Sequence, residues 1–221
     1  CAGRPVFPEY PPGAGGAGSY QSEAKLEDSL IKLLESQAYE YLPLHTESDL
    51  VDNLRAQLEA LNHMTFTDGE WQRFFTHSIA DRNDGIVEKT VRIQEDSVQV
   101  LRRDDGSTKN VMLIDKANVH NNSLQVVNQY EVPGRPDGGP AKYSNRYDVT
   151  ILVNGLPLVH VELTRRGVDL RAAFNQIDRY QRDSFWACIG LFEYVHLFVI
   201  CHGTLTKYYS NTTRRQHIDE A

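Results

Sequence analysis

Cysteine, basic charge and long apolar runs are all scarce in this sequence. Three cysteines, Cys1, Cys188 and Cys201, are scattered over 221 residues with neither a CxxC pair nor zinc-site spacing. That excludes a disulfide scaffold and a structural zinc module, and it fits a reducing, cytoplasmic setting. No apolar run approaches the roughly 20 residues of a membrane span. The best candidate, YVHLFVIC from Tyr194 to Cys201, is strand-sized. No secretory signal pattern opens the sequence. The motif G-x-x-x-x-G-K-[ST] does not occur, so ATP binding through a P-loop does not belong to this segment. Lys and Arg number 23 against 30 Asp and Glu, a formal net charge of −7. That balance argues against indiscriminate polyanion binding, which needs cations to neutralise phosphates. The deficit is uneven, however. Between Lys142 and Arg182 stand seven basic residues and four acidic ones.

What is present suffices for one substantial domain, with 40% hydrophobic and 24% charged residues. Residues 1–20, CAGRPVFPEYPPGAGGAGSY, are rich in Gly, Pro and Ala without periodicity and read as a flexible arm; residues 21–221 read as the domain. Leu26, Leu30, Leu33 and Leu34 fall at helical spacing after Ser22, a candidate N-cap. A second helix is expected over about Ser48 to Leu61, and a third around Trp71, Phe74, Phe75 and Ile79. From about Gly85 the pattern turns to short β-rich runs: VQVL, VMLI and LQVVNQYEV. The Gly/Pro-rich insert from Val132 to Asn145 reads as a loop. YDVTILV and LPLVHVEL follow, joined at Asn154-Gly155, a strong hairpin signal. DLRAAFNQIDRYQRDSF then reads as a helix, and YVHLFVICHG as a buried strand. This order predicts an α/β or α+β fold, a sheet with helices packed on it.

The chemistry lies in the hairpin. Asp148 opens one strand; Glu162 and Thr164 close the next, two residues apart and hence on one face. Val, Ile and Leu surround both acids, and a carboxylate in such a strand is costly unless it is paired or binds a metal. Two convergent carboxylates with a backbone carbonyl make a hard oxygen site suited to Mg²⁺. Register decides whether they converge. A plain two-residue turn at Asn154-Gly155 puts Asp148 opposite Val161 and throws Glu162 to the other face. The metal site therefore requires a three-residue or bulged turn, or a bulge elsewhere in the hairpin.

At this point the run NRYDVTILVNGLPLVHVELTRRGVDLRAAFNQIDRYQRDSF resembles the nuclease region of the motor (R) subunit of type I restriction enzymes. SEAKLEDSLIKLLESQAYEYL and LFVICHGTLTKYYSNTTR extend the likeness over nearly everything beyond residue 20. The resemblance implies the PD-(D/E)xK fold, a restriction-endonuclease-like core with a central mixed sheet flanked by helices. Asp148 and Glu162 match that family's metal-binding acids, and Leu163 supplies the carbonyl. Gln176 and Tyr180, one helical turn apart, match the QxxxY element of RecB-like nucleases. Glu27 in the first helix is a candidate for a further acidic ligand. Lys142, Arg165, Arg166, Arg179 and Arg182 are candidates for DNA-backbone contacts. The resemblance further implies Mg²⁺, double-stranded DNA, and modification and specificity subunits as partners, with ATP used only by helicase-like domains outside this segment. One position departs from the pattern. The family carries Lys two residues after the Glu, where this sequence has Thr164. A lysine there would orient the attacking water and stabilise charge on the phosphorane; threonine brings no charge.

Plainer readings stand beside these. Asp148 and Glu162 read alternatively as strand-end acids facing solvent, and Gln176 with Tyr180 as part of an ordinary amphipathic helix. His160 reads as a structural histidine, because Mg²⁺ prefers oxygen donors. Trp71, Phe74 and Phe75 read as core. Three functions remain: an Mg²⁺-dependent type I endonuclease module, a catalytically impaired nuclease fold used in DNA binding or assembly, and a protein-interaction domain whose acids align by chance. Failure of the acids to converge would favour the third.

Overall fold

The computed structural model describes residues 22–132, 145–165, 170–183 and 190–211, with 181–183 as backbone. The expected arm over residues 1–20, most of the insert after Val132, and Cys1 and Cys188 lie outside the described residues.

The N-terminal third is helical because its caps and apolar spacing agree. Helix α1 (Glu23–Ser36) starts at Ser22, whose hydroxyl accepts the Lys25 N–H at 3.3 Å. A two-residue strand, β1 (Glu40–Tyr41), follows. Helix α2 (Glu47–Asn62) opens on a reciprocal box between Thr46 and Asp49 and buries Leu50, Leu54 and Leu58 at helical spacing. Helix α3 (Asp68–Phe74) has the same device in Thr67 and Glu70, then loosens into one π-turn over Phe75–Ile79. Phe66, Trp71, Phe74 and Phe75 pack as an aromatic cluster with centroids 5.2–6.5 Å apart, so these rings are core.

One expectation fails here. The β-rich pattern expected from Gly85 is preceded by a helix, α4 (Ile86–Gln94). Its β-branched residues suggest strand, but Val87 and Val91 are exposed while Lys89, Thr90 and Ile93 face inward. Buried Lys89 pairs with Glu193 and donates to the Gly190 carbonyl at 3.1 Å, so tertiary contacts override local propensity.

Strands β2 (Val98–Arg102) and β3 (Thr108–Met112) form a separate antiparallel hairpin. The main sheet adds β4 (Leu124–Val132), β5 (Asn145–Val153), β6 (Leu156–Leu163), β7 (Leu197–Cys201) and β8 (Thr206–Ser210), in the order β1-β4-β5-β6-β7-β8. Helix α5 (Leu170–Asp183) makes the crossover that lets β6 and β7 lie parallel; β4–β5, β5–β6 and β7–β8 are antiparallel. The result is the expected mixed sheet flanked by helices, consistent with a restriction-endonuclease-like core. Strand β7, expected to be buried, alternates: Phe198 and Ile200 are buried, their neighbours half-buried. One face of the sheet presents Val126, Val149, Val161 and Leu163 to Leu26, Leu30 and Leu34 of α1. The larger core lies on the other face, where α2 and α5 contribute Leu50, Leu54, Ala173, Ile177 and Tyr180.

Candidate active site

The hairpin β5–β6 decides what the acids can do. Asn154 and Gly155, at φ 51° and 82°, make a tight two-residue turn of the primed type. By itself that turn would separate the acids. The register holds for Val153↔Leu156 and Leu152↔Pro157, then shifts so that Ile151 faces Val159. Leu158 is the extra residue. Beyond this bulge Thr150 faces His160 and Val149 faces Val161, and the same register continued brings Asp148 opposite Glu162. The bulge thus sits in the strand, not in the turn.

Past Val149 the ladder gives way to a side chain: the Leu163 N–H donates to Asp148 Oδ2 at 2.9 Å. Across from it, Gln129 of β4 adopts φ 51° between the regular pairs Asn128↔Val149 and Tyr130↔Tyr147. A non-glycine residue there is strained, and such strain gathers at functional sites. Glu162 is 2% exposed. Its Oε2 meets His160 Nε2 at 3.2 Å, while His160 Nδ1 lies 3.4 Å from Thr150 Oγ1. Burial pushes the His160 imidazole down to about 4, against the pull of Asp148, so it is a neutral ring near pH 7. With Nε2 protonated it donates to Glu162. His160 is structural as expected, and the structure shows what it holds.

Burial, reinforced by the charge of Glu162, pushes Asp148 up to about 7; the Leu163 N–H opposes this. Burial pushes Glu162 up to about 8, with Arg179 opposing and Glu23 adding to the rise. Among the described residues nothing donates to Asp148 Oδ1 or Glu162 Oε1. Both acids line a cavity of about 360 Å³, together with Glu23, Leu163, Thr164, Gln176, Arg146 and Arg179. A site that makes two carboxylates hard to ionise, yet leaves an oxygen on each uncommitted, suits a small hard cation. The oxygen donors that could serve it are the two carboxylates, with Leu163 in the same lining. No group of three His, Cys, Asp or Glu side chains in ligating arrangement occurs among the described residues.

Helix α5 closes the cavity. Gln176 Nε2 donates to the Tyr180 hydroxyl at 2.6 Å, and that hydroxyl donates to the Arg146 carbonyl at 2.9 Å. Tyr180 is 2% exposed, and its ring meets Tyr147 and His160 edge-on at 4.9 and 6.0 Å. Burial and the nearby acids raise its hydroxyl to about 12, so it stays a donor. The pair thus ties α5 to the strand that carries Asp148.

Other expected residues scatter. Glu27 is buried, but its two oxygens accept from Asn128 Nδ2 and Gln129 Nε2 at 2.5 Å each; it braces the strained segment of β4 and does not line the cavity. Arg165 is exposed and pairs with Glu23 at 3.3 Å, pointing to α1. Thr164 lies in the cavity wall, 7% exposed, and its N–H donates to the Cys201 carbonyl. Arg179 is exposed at the cavity. Lys142, Arg166 and the side chain of Arg182 lie outside the described residues. Sequence reasoning missed Glu23 and Arg146 as cavity residues. Helical spacing offered a signal for Glu23, one turn before Glu27.

The family profile described as "Type I restriction enzyme R protein N terminus" matches residues 20–217. The chain belongs to this family. It is 48% identical over 198 residues to the Escherichia coli type I restriction enzyme EcoprrI endonuclease subunit, covering 89% of the chain and 61% of that relative. It is 40% identical over 197 residues to the SsaAORF53P endonuclease subunit of Staphylococcus saprophyticus, and 39% over 199 to the SauMSSORF170P endonuclease subunit of Staphylococcus aureus strain MSSA476. It covers 87% of itself in both matches and spans 20% of each of those relatives. Within this R-protein N-terminal region the matched stretch contains the cavity residues from Glu23 to Tyr180.

Proposed function

We propose that this chain is the nuclease module of a type I restriction endonuclease subunit and hydrolyses DNA phosphodiester bonds with Mg²⁺. The observation that carries the reading is the convergence of Asp148 and Glu162, each with an uncommitted oxygen, in one solvent-reached cavity. Bound there, Mg²⁺ would activate water and neutralise charge on the phosphate. Asp148, Glu162 and the Leu163 carbonyl would hold it. The Leu163 N–H fixes Asp148 and His160 fixes Glu162, so the unshared oxygens are aimed before substrate arrives. Water oxygen would bond phosphorus as its proton passes to solvent, one P–O ester bond would break, and the departing alkoxide would take a proton from solvent. Exposed arginines would contact the backbone of double-stranded DNA. Relatives named as endonuclease subunits of type I restriction enzymes support assembly into a multisubunit restriction complex. In this reading the partners are modification and specificity subunits, the setting is cytoplasmic, and ATP is used by domains outside this chain.

Thr164 favours a second reading, a catalytically impaired module that binds DNA or organises the complex. Plasmid cleavage by the reconstituted full-length complex with Mg²⁺ and ATP separates them. The leading reading expects cutting by the parent and none by Asp148→Asn. Cutting only after Thr164→Lys would make this chain an inactivated form. Equal cutting with and without Asp148 would sink the assignment.

A further inference from the structure

A phosphoryl transfer site needs positive charge near the reacting group, because negative charge builds on the phosphate oxygens and leaving oxygen. The cavity is acidic, with Glu23, Asp148 and Glu162 in its wall, and the residue two after Glu162 is neutral Thr164. Two arginines share the lining, Arg146 and Arg179. They differ in support. Arg146 sits in β5 across from Glu131 of β4. Arg179 stands on α5 in the same lining as Glu162, and its guanidinium lies 5.5 Å from the Tyr180 ring centroid. Tyr180 is itself anchored by Gln176 and the Arg146 carbonyl. An aromatic ring held at two points gives a guanidinium a fixed platform. Arg165, next to Thr164, is not in the cavity lining and pairs with Glu23 at its edge.

Resting on the nuclease reading, we propose that Arg179 is the catalytic cation of this site: its guanidinium, stacked on Tyr180, contacts the scissile phosphate and stabilises the charge that a lysine at position 164 would otherwise meet. Arg179 thereby does more than hold the DNA backbone. Thr164 and Arg179 line the same cavity, so the cation would come from α5 rather than from β6.

The test compares parent, Arg179→Gln, Thr164→Lys and the double variant as reconstituted full-length complexes with Mg²⁺ and ATP. Because Arg179 is exposed, its loss should shift Tm little, which a melting curve checks. The expected pattern is cutting by the parent, a loss of at least about 100-fold in Arg179→Gln, and recovery to within about tenfold in the double variant. Parent-like cutting by Arg179→Gln overturns the proposal while leaving the nuclease reading intact. So does a silent parent whose Thr164→Lys version cuts. Loss without lysine rescue also overturns it, and a salt slope of duplex binding lower by about 1 would then make Arg179 an ordinary backbone contact. If none of the four cuts, the nuclease reading itself fails and takes this inference with it.

Discussion

The β2–β3 and β5–β6 hairpins differ in regularity. In β2–β3 the register runs unbroken from Val98↔Met112 to Arg102↔Thr108, across a loop whose Gly106, at φ 83°, has nothing within 4 Å of a would-be Cβ. In β5–β6 the turn is tighter and the ladder carries a bulge at Leu158. Asn154, 1% exposed, donates to the Leu113 carbonyl and Asn122 Oδ1 at 2.9 and 2.8 Å. A Cβ on Gly155 would fall 2.6 Å from Leu54 Cα. The plain hairpin leaves Val98 and Val100 exposed and carries no buried acid; the irregular one is clamped by α2 and carries Glu162 and Asp148. Irregularity here is what brings two like charges together, and dense packing at the turn holds that arrangement in place.

Several measurements bear on that contrast. The largest effect is expected from Glu162→Gln, which should lower plasmid cleavage by at least about 1,000-fold while the protein stays folded, on the scale of losing a site's main charged group. Retained cleavage would make the irregular hairpin as inert as the plain one. Next come the glycines. Gly155→Ala meets both left-handed backbone and the α2 main chain, and should cost about 3 kcal/mol or more in denaturant midpoint analysis. Gly106→Ala, strained but unobstructed, should cost about 1 kcal/mol. Similar costs would mean that α2 does not clamp the turn.

A third expectation concerns pH in metal-free buffer. Both acids have folded values raised, to about 7 and about 8, above ordinary carboxylate values. The folded state therefore holds protons that the unfolded chain has released, so stability is greatest below about pH 4 as far as these groups are concerned, and it falls as pH rises through 7 to 8. Glu162→Gln should raise Tm by several degrees at pH 8.5 and little at pH 5, on the scale of roughly 1–3 kcal/mol. Mg²⁺ should reproduce much of that gain in the parent and add little to the variant. A flat difference across pH would show that Glu162 ionises freely. The smallest effect belongs to the plain hairpin: Val100→Thr, at an exposed strand position, should stay within about 0.5 kcal/mol at every pH.

Much of this was legible beforehand where local and global signals agree. Ser22 capped α1, Leu50, Leu54 and Leu58 spaced α2, and Asn154-Gly155 turned the hairpin as their residue types require. Helix α4 was not legible, because β-branched Val87 and Val91 point to solvent and the buried Lys89–Glu193 pair spans a sequence separation of 104 residues. The short strand β1 and the edge strand β8 carry too little pattern to stand out, with Tyr41 and Tyr208 both exposed. Counting residues from the turn showed that a bulge was needed for the acids to meet; it could not say where, since Pro157, Leu158 and Val159 are equally apolar.

The sequence by itself determined the alternation that puts His160, Glu162 and Thr164 on one strand face, the helical spacing of Gln176 and Tyr180, and membership of a family whose pattern runs from residue 20 to 217. These are short-range facts, set by backbone periods of about 2 and 3.6 residues. Only the tertiary structure decided that Leu158 bulges, that His160 serves Glu162, that Glu27 braces Gln129 outside the cavity, and that Arg179 rather than Arg165 lines the cavity. Those depend on which elements pack together. Burial and through-space charge are properties of that packing, and no local period encodes them.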